Sequence, residues 1–338
     1  MEAGNKSRKK WIVIAAVCLF IVLVSVFAAL FVHYFYPSRG DEPITVVIEE
    51  GESAAQIAAK LHEREVVTSA TIFRMLAWLQ GRQGDFKPGH YVLYTGMHYG
   101  EVFAILEAGP NYQAKVTIPE GFTVAQTAEK VAQVLMFPAE DFIAAAASGD
   151  YDMDIIPAEN GDNLEGFLFP KTYEMSVETS PRQVVEMLLN QFKAETSNLE
   201  WQRAAELGIS PYQAVIVASL IEREAILDEE RPLVAAVIYN RLRMDMLLQI
   251  DATVQYALPE WKDVLTYEDL EIPSPYNTYL NKGLPPAPIC SPGLESIQAA
   301  LYPADVDYLY YVATGEGGHF FTSDYNEFLR VKEEVQGR

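Results

Sequence analysis

Residues 210–225 read Ser-Pro-Tyr-Gln-Ala-Val-Ile-Val-Ala-Ser-Leu-Ile-Glu-Arg-Glu-Ala. Serine followed by proline is a strong helix start, because the serine can cap the first free amides and proline suits the first helical position. The apolar run that follows predicts a helix to about Leu227. Ala214, Ala218, Ile221 and Ala225 form one stripe at helical spacing, with Glu222 beside it, while Val217, Leu220 and Glu224 form another. Burying a carboxylate costs several kcal/mol unless it is paired or protonated, so two glutamates at the end of such a run demand an explanation. They lie about 200° apart around the helix and cannot share one site. One is expected to face the core or a cleft, the other a partner such as Arg223, Arg231 or solvent. The alternative is that both form salt bridges, and periodicity alone does not choose between the two glutamates.

Further helices are predicted over Pro181–Ser197, Arg231–Met244 and from Pro292-Gly293 to about Leu301, with a short helical turn over Thr253–Ala257. Pro273–Pro292 holds six prolines and is expected to be an extended, stiffened loop. Tyr308–Ala313 and His319–Thr322 read as a hairpin, with His319 a packed strand residue, and a charged helix follows from about Asp324. Together with Asn163–Pro170, which opens this part of the chain, these elements predict an α+β domain over 161–338.

Working toward the N-terminus, a repeat appears at an offset of 70 residues. Val47-Ile48-Glu49-Glu50-Gly51 answers Thr117-Ile118-Pro119-Glu120-Gly121, and Ala55–Leu61 answers Ala125–Val131. Each copy reads as strand, glycine turn and amphipathic helix, with Ser53 and Thr123 as N-caps. The first copy continues through a helix over Thr68–Gln80, a strand near Tyr91 and a helix over Tyr99–Ala108. Strand, helix, helix, strand is the outline of a LysM-type module, a small binder of wall glycan, expected over 43–110. A second strand–helix unit and linker are expected over 111–160.

From Trp11 to Val32 the single polar side chain is Ser25. As a helix this stretch is roughly 33 Å long, enough to cross a bilayer, so 11–33 is expected to be a single transmembrane helix rather than a cleaved signal peptide. His33-Tyr34-Phe35-Tyr36 suits a membrane interface. In the tail 1–10, Lys6, Arg8, Lys9 and Lys10 outnumber Glu2 by three, which places the N-terminus inside the cell and the rest outside the cytoplasmic membrane. The net charge is −22 over 338 residues, so the chain beyond this tail carries −25. Such an acidic body argues against nucleic acid as a partner. Two distant cysteines give no disulfide framework, five scattered histidines give no metal-ligand spacing, and no cofactor motif is present.

Gln249–Thr253, Ser274–Tyr279 and Gly283–Gly293 place polar and aromatic groups on rigid loops, a usual lining of a sugar groove. With Leu164–Pro170, Ala218-Ser219-Leu220-Ile221-Glu222-Arg223-Glu224, Asn240-Arg241-Leu242, Leu248–Val254, Tyr276–Tyr279 and Gly283–Pro286, the chain resembles the endolytic murein transglycosylase family, the YceG-like membrane-anchored lytic enzymes of the bacterial wall. The resemblance covers nearly everything from the anchor to the C-terminus. It implies that the first glutamate of Ile-Glu-x-Glu, Glu222, is catalytic, with cleavage inside nascent peptidoglycan strands near the synthases and the division or elongation proteins that accompany them. Glu222 is then expected to act as acid and next as base. It protonates the bond between N-acetylmuramic acid and N-acetylglucosamine, then deprotonates the 6-hydroxyl that closes a 1,6-anhydro ring. A pKa near the working pH would suit both roles. Gln249, Asp251, Tyr276 and Asn277 are expected to position substrate, and Glu165 to be a further substrate group, a second acid or a structural cap. The rivals are a hydrolytic muramidase using two carboxylates and a non-catalytic membrane-anchored scaffold that binds peptidoglycan.

Overall fold

The computed structural model describes residues 2–35, 39–160, 163–315 and 317–336 of the chain. Tyr36 of the expected aromatic cluster, the side chains of His33–Phe35 and those of the basic tail lie outside what is described, as do Gly161, Asp162 and Glu316. The architecture is α+β, with three two-stranded sheets among many helices. Contacts divide it into two compact units, 1–114 with 175–178, and 115–174 with 179–338.

The first unit begins with helix α1 (Glu2–Phe35). Its described side chains Leu19, Phe20, Leu23 and Phe27 are all exposed. Among the described residues no helix is long and apolar enough to cross a membrane; the uninterrupted run of described side chains in α1 is 16–32.

Strand β1 (Pro43–Ile48) pairs antiparallel with β2 (Gly89–Tyr94), from Pro43 opposite Tyr94 to Ile48 opposite Gly89. Alternation turns Val46 and Ile48 inward. Between the strands run α2 (Ala54–Glu63) and α3 (Ala70–Leu79), and α4 (Tyr99–Ala108) follows β2. Ile57, Leu61, Phe73, Tyr91 and Phe103 fill the core, with the Phe73 and Phe103 rings 4.8 Å apart, edge to face. Burying each such side chain stabilises the unit by about 1.5–3 kcal/mol before entropy is counted.

In the second unit, β3 (Gln113–Thr117) pairs with β4 (Thr172–Ser176), and α5 (Val124–Ala132) and α6 (Ala139–Ala146) lie between them in sequence. The repeat is structural as well as sequential: Ser53 with Gln56 and Thr123 with Gln126 form the same capping box at the starts of α2 and α5. The two copies nevertheless fall in different compact units.

After α7 (Pro181–Thr196) and the short α8 (Arg203–Glu206) comes α9 (Pro211–Glu224), capped by Ser210 with Gln213. Every side chain from Ala214 to Ile221 is buried, because α10 (Arg231–Arg243) and α12 (Leu294–Leu301) pack against it. The helix stops at Glu224, short of Leu227. Ala225 is extended, and a 3-10 turn at Asp228–Glu230 brings the chain round to Arg231. Helix α11 (Asp251–Ala257) follows, and Pro273–Pro292 holds no regular element apart from turns. Strands β5 (Tyr310–Ala313) and β6 (His319–Thr322) form the closing hairpin, covered by α13 (Tyr325–Gln336). Glu230 fixes the hairpin by accepting from the His319 backbone amide, and it meets His319 Nδ1, both at 2.7 Å.

Candidate active site

The two glutamates at the end of α9 have different surroundings. Glu222 points into the packing between α9 and α12. Its Oε2 accepts from the Gly293 amide at 2.9 Å, from Ser296 Oγ at 2.8 Å and from Arg231 Nη1 at 3.3 Å. Arg231 also donates to Ser296 Oγ and, through Nε, to Asp228 at 3.1 Å. The side chains of Glu222 and Arg231 are 7% and 8% exposed, which makes this a buried ion pair rather than a surface one. Glu120 packs against the same turn: a Cβ on Gly293 would stand 2.1 Å from Glu120 Oε1. Burial holds the Glu120 carboxyl above its ordinary range, and the charges of Glu222 and Glu295 add to the rise.

Glu224 faces the other way, as the 200° separation requires. It lines a cleft of about 430 Å³ shared by the start of α11, the hairpin and α13, together with Arg241, Gln249, Asp251, Tyr279 and Tyr311. Tyr311 Oη donates to Glu224 Oε2 at 2.7 Å. Burial raises the Glu224 carboxyl above its ordinary value; the Tyr311 hydrogen bond opposes that rise and the nearby Asp251 charge adds to it. Tyr279 Oη donates to Asp251 Oδ1. Arg241 braces the walls by donating to the carbonyls of Leu309 at 2.7 Å and Leu248 at 2.6 Å. Gln249 stands in the left-handed region at φ 53°, a conformation costly for a side chain with a Cβ, and its amide donates to the Thr278 carbonyl at 3.1 Å.

The cleft thus gathers two of the expected substrate groups, Gln249 and Asp251, around the glutamate that was not singled out. Glu222, expected to be catalytic, has its Oε2 in the hydrogen bonds from Gly293, Ser296 and Arg231. Asn277 is fully buried: its amide donates to the carbonyls of Leu270 and Ile272 at 2.9 Å each, and its oxygen accepts from the Tyr279 amide. These bonds shape the proline-rich loop. Tyr276 stacks against Tyr256 at 4.8 Å, away from the Glu224 cleft. Glu165 is buried beneath it, accepting from the Val124 amide and from Tyr256 Oη. Desolvation lifts its carboxyl to about 7. Tyr279 lies within the Ser274–Tyr279 cluster expected to line a groove, whereas Tyr311 and Glu120 were not singled out from sequence. Only the alternation of β5 and the repeated Glu-Gly of the turns bore on them, and neither signal reports a contact across the fold.

The match to known proteins agrees with this architecture. Residues 46–334 match the YceG-like family, and the chain belongs to it. It is 33% identical over 306 residues to an endolytic murein transglycosylase of Bacillus subtilis, covering 86% of this chain and 84% of that one. It is 30% identical over 326 residues to the protein of the same name from Streptococcus pneumoniae, covering 87% of this chain but 59% of that longer one. A crystal structure of a YceG-like protein from Listeria monocytogenes superposes with a TM-score of 0.58 at 32% identity, covering 86% of this chain and 99% of that one.

Proposed function

We propose that this chain is a membrane-anchored lytic transglycosylase that cleaves within peptidoglycan strands, and that Glu224 is its acid and base. The observation that carries the reading is the division of labour at the end of α9. Glu222 is tied to Arg231, Ser296 and Gly293, while Glu224 opens on a cleft with a raised carboxyl. The names of the relatives support the substrate.

In the proposed reaction protonated Glu224 gives its proton to the oxygen joining N-acetylmuramic acid to N-acetylglucosamine, and the bond from that oxygen to the muramic C1 breaks. As carboxylate, Glu224 then removes the proton of the muramic 6-hydroxyl, whose oxygen bonds to C1 and closes the 1,6-anhydro ring. The proton balance is zero and no water is consumed. A raised pKa favours the protonated form that the first step needs. Tyr311 orients the carboxyl, and Gln249 and Asp251 stand where sugar hydroxyls or the acetamido group would be held.

The exposed apolar side chains of α1 support a membrane anchor, since such a surface is stable in lipid rather than water, and the basic tail 1–10 supports placing the body outside the cytoplasmic membrane. The strand–helix–helix–strand order of 43–94 supports a LysM-like module that holds glycan. Peptidoglycan synthases and division or elongation proteins are the partners this placement suits.

Asp251 in the same cleft gives a second reading, hydrolysis by two carboxylates. Mass analysis of glycan products separates the two. Anhydro ends are expected; ends heavier by one water would make the enzyme a muramidase. The absence of new ends at any enzyme concentration would make it a binding scaffold.

A further inference from the structure

A second cavity, of about 330 Å³, also borders α11. Ala252, Gln255 and Tyr256 line this cavity, whereas Asp251 at the start of the helix lines the Glu224 cleft. Its floor holds the Glu165 carboxyl, buried and bonded to the Val124 amide. Its rim carries Arg223, the residue between the two glutamates, whose guanidinium lies 4.6 Å from the ring centroid of Trp261. Gly121, at φ +75°, leaves room for that guanidinium: a Cβ there would stand 3.2 Å from Arg223 Nη1.

Two features set this rim apart. Among the described residues Arg223 forms no ion pair, although the chain carries 47 acidic residues against 25 lysines and arginines. Trp261 is 57% exposed, so the stacked pair presents a cation and an aromatic surface together. The stack fixes the guanidinium without using its hydrogen-bond donors, which remain free for a planar anion. Where a strand bears peptides, the lactyl carboxyls of its muramic acids are tied up as amides, so the glycan itself offers no such anion. The carboxylates of a wall strand sit on the short peptides that substitute its muramic acids.

We propose that this cavity is a subsite for the peptide stem of the strand, with Arg223 pairing a stem carboxylate and Trp261 packing on the stem's aliphatic part. The assignment of the ligand rests on the peptidoglycan reading above. It makes the enzyme one that distinguishes peptide-bearing strands from denuded ones, and makes Arg223 and Trp261 residues of specificity rather than of bond cleavage.

Binding tests this without turnover. The full chain carrying Glu224→Gln, checked by mass analysis to leave the strands uncut during the measurement, is titrated with glycan strands bearing uncrosslinked peptides and with the same strands stripped of peptide by an amidase and their freed lactyl carboxyls converted to methyl amides. A preference of about tenfold or more for peptide-bearing strands is expected, weakening as ionic strength rises. Arg223→Ala is expected to bring the ratio to within twofold, Arg223→Lys to keep part of it, and Trp261→Ala to reduce it. No preference before substitution, or a preference unchanged by Arg223→Ala, overturns the proposal. Because the ratio is read on a chain that does not cleave, it can stand if the lytic reading fails, and can fail while anhydro products are still formed by the unsubstituted chain.

Discussion

Tyr311 on the closing hairpin places its hydroxyl 2.7 Å from Glu224 at the end of α9. The phenol donates to the carboxylate, so it favours the charged form and restrains a rise in pKa whose main cause is burial. On the proposed reading, an acid that gives up a proton and then recovers one is held by a group 87 residues away in sequence.

Removing that hydroxyl has a signed consequence. Tyr311→Phe takes away the bond that lowers the Glu224 pKa, so the protonated form persists to higher pH. The alkaline limb of the pH–rate profile is expected to move up, with a loss of rate from poorer orientation. A limb that stays in place or moves down contradicts the assignment.

Asp251→Asn acts in the opposite sense. Its charge raises the Glu224 pKa, so neutralising it is expected to move the same limb to lower pH. Tyr311→Phe and Asp251→Asn displacing the limb in the same direction is the result that would argue against Glu224 as the titrating group.

Glu165 affects stability rather than rate. Its carboxyl titrates at about 7 in the folded protein against an ordinary 4.5. Between those values the folded chain holds more protons than the unfolded chain. This contribution is therefore fully present below pH 4.5 and is lost as pH rises to about 7, on the order of 3 kcal/mol in all. Glu165→Gln should flatten that decline in denaturant unfolding measured from pH 4.5 to 8. Parallel slopes for both proteins would contradict it.

Gly293 has no space for a side chain. Its amide bonds Glu222, and an added Cβ would collide with Glu120. Gly293→Ala is expected to destabilise the second unit by about 1–3 kcal/mol, seen as a lower midpoint in thermal unfolding. An unchanged midpoint would mean that Glu120 moves aside freely.

Much of this frame was readable in the chain itself. Ser210-Pro211 announced α9, and the 70-residue offset announced two N-caps, Ser53 and Thr123, that both form. The helical angle between Glu222 and Glu224 required that one take a partner, and Arg231 was among the partners named. What the chain could not reveal was which glutamate took it. That choice depends on Ser296 and Gly293, more than 70 residues onward, and on Tyr311 approaching from the hairpin. The motif resemblance pointed to the first glutamate, Glu222; the proposal of Glu224 departs from it on the hydrogen bonds that each carboxylate makes. The partners of Asn277 were likewise hidden: an amide within a polar loop suits a sugar hydroxyl as well as it suits two backbone carbonyls.

The central claim is tested most directly by comparing Glu224→Gln with Glu222→Gln on the same glycan strands, with turnover and unfolding free energy measured for each. The account predicts that Glu224→Gln loses about 10²–10⁴-fold in turnover with stability kept. Glu222→Gln should lose on the order of 2–4 kcal/mol of stability, through the weakened partner of buried Arg231, while its folded fraction still forms anhydro ends. Full turnover in Glu224→Gln, or abolished turnover in a fully stable Glu222→Gln, would contradict it.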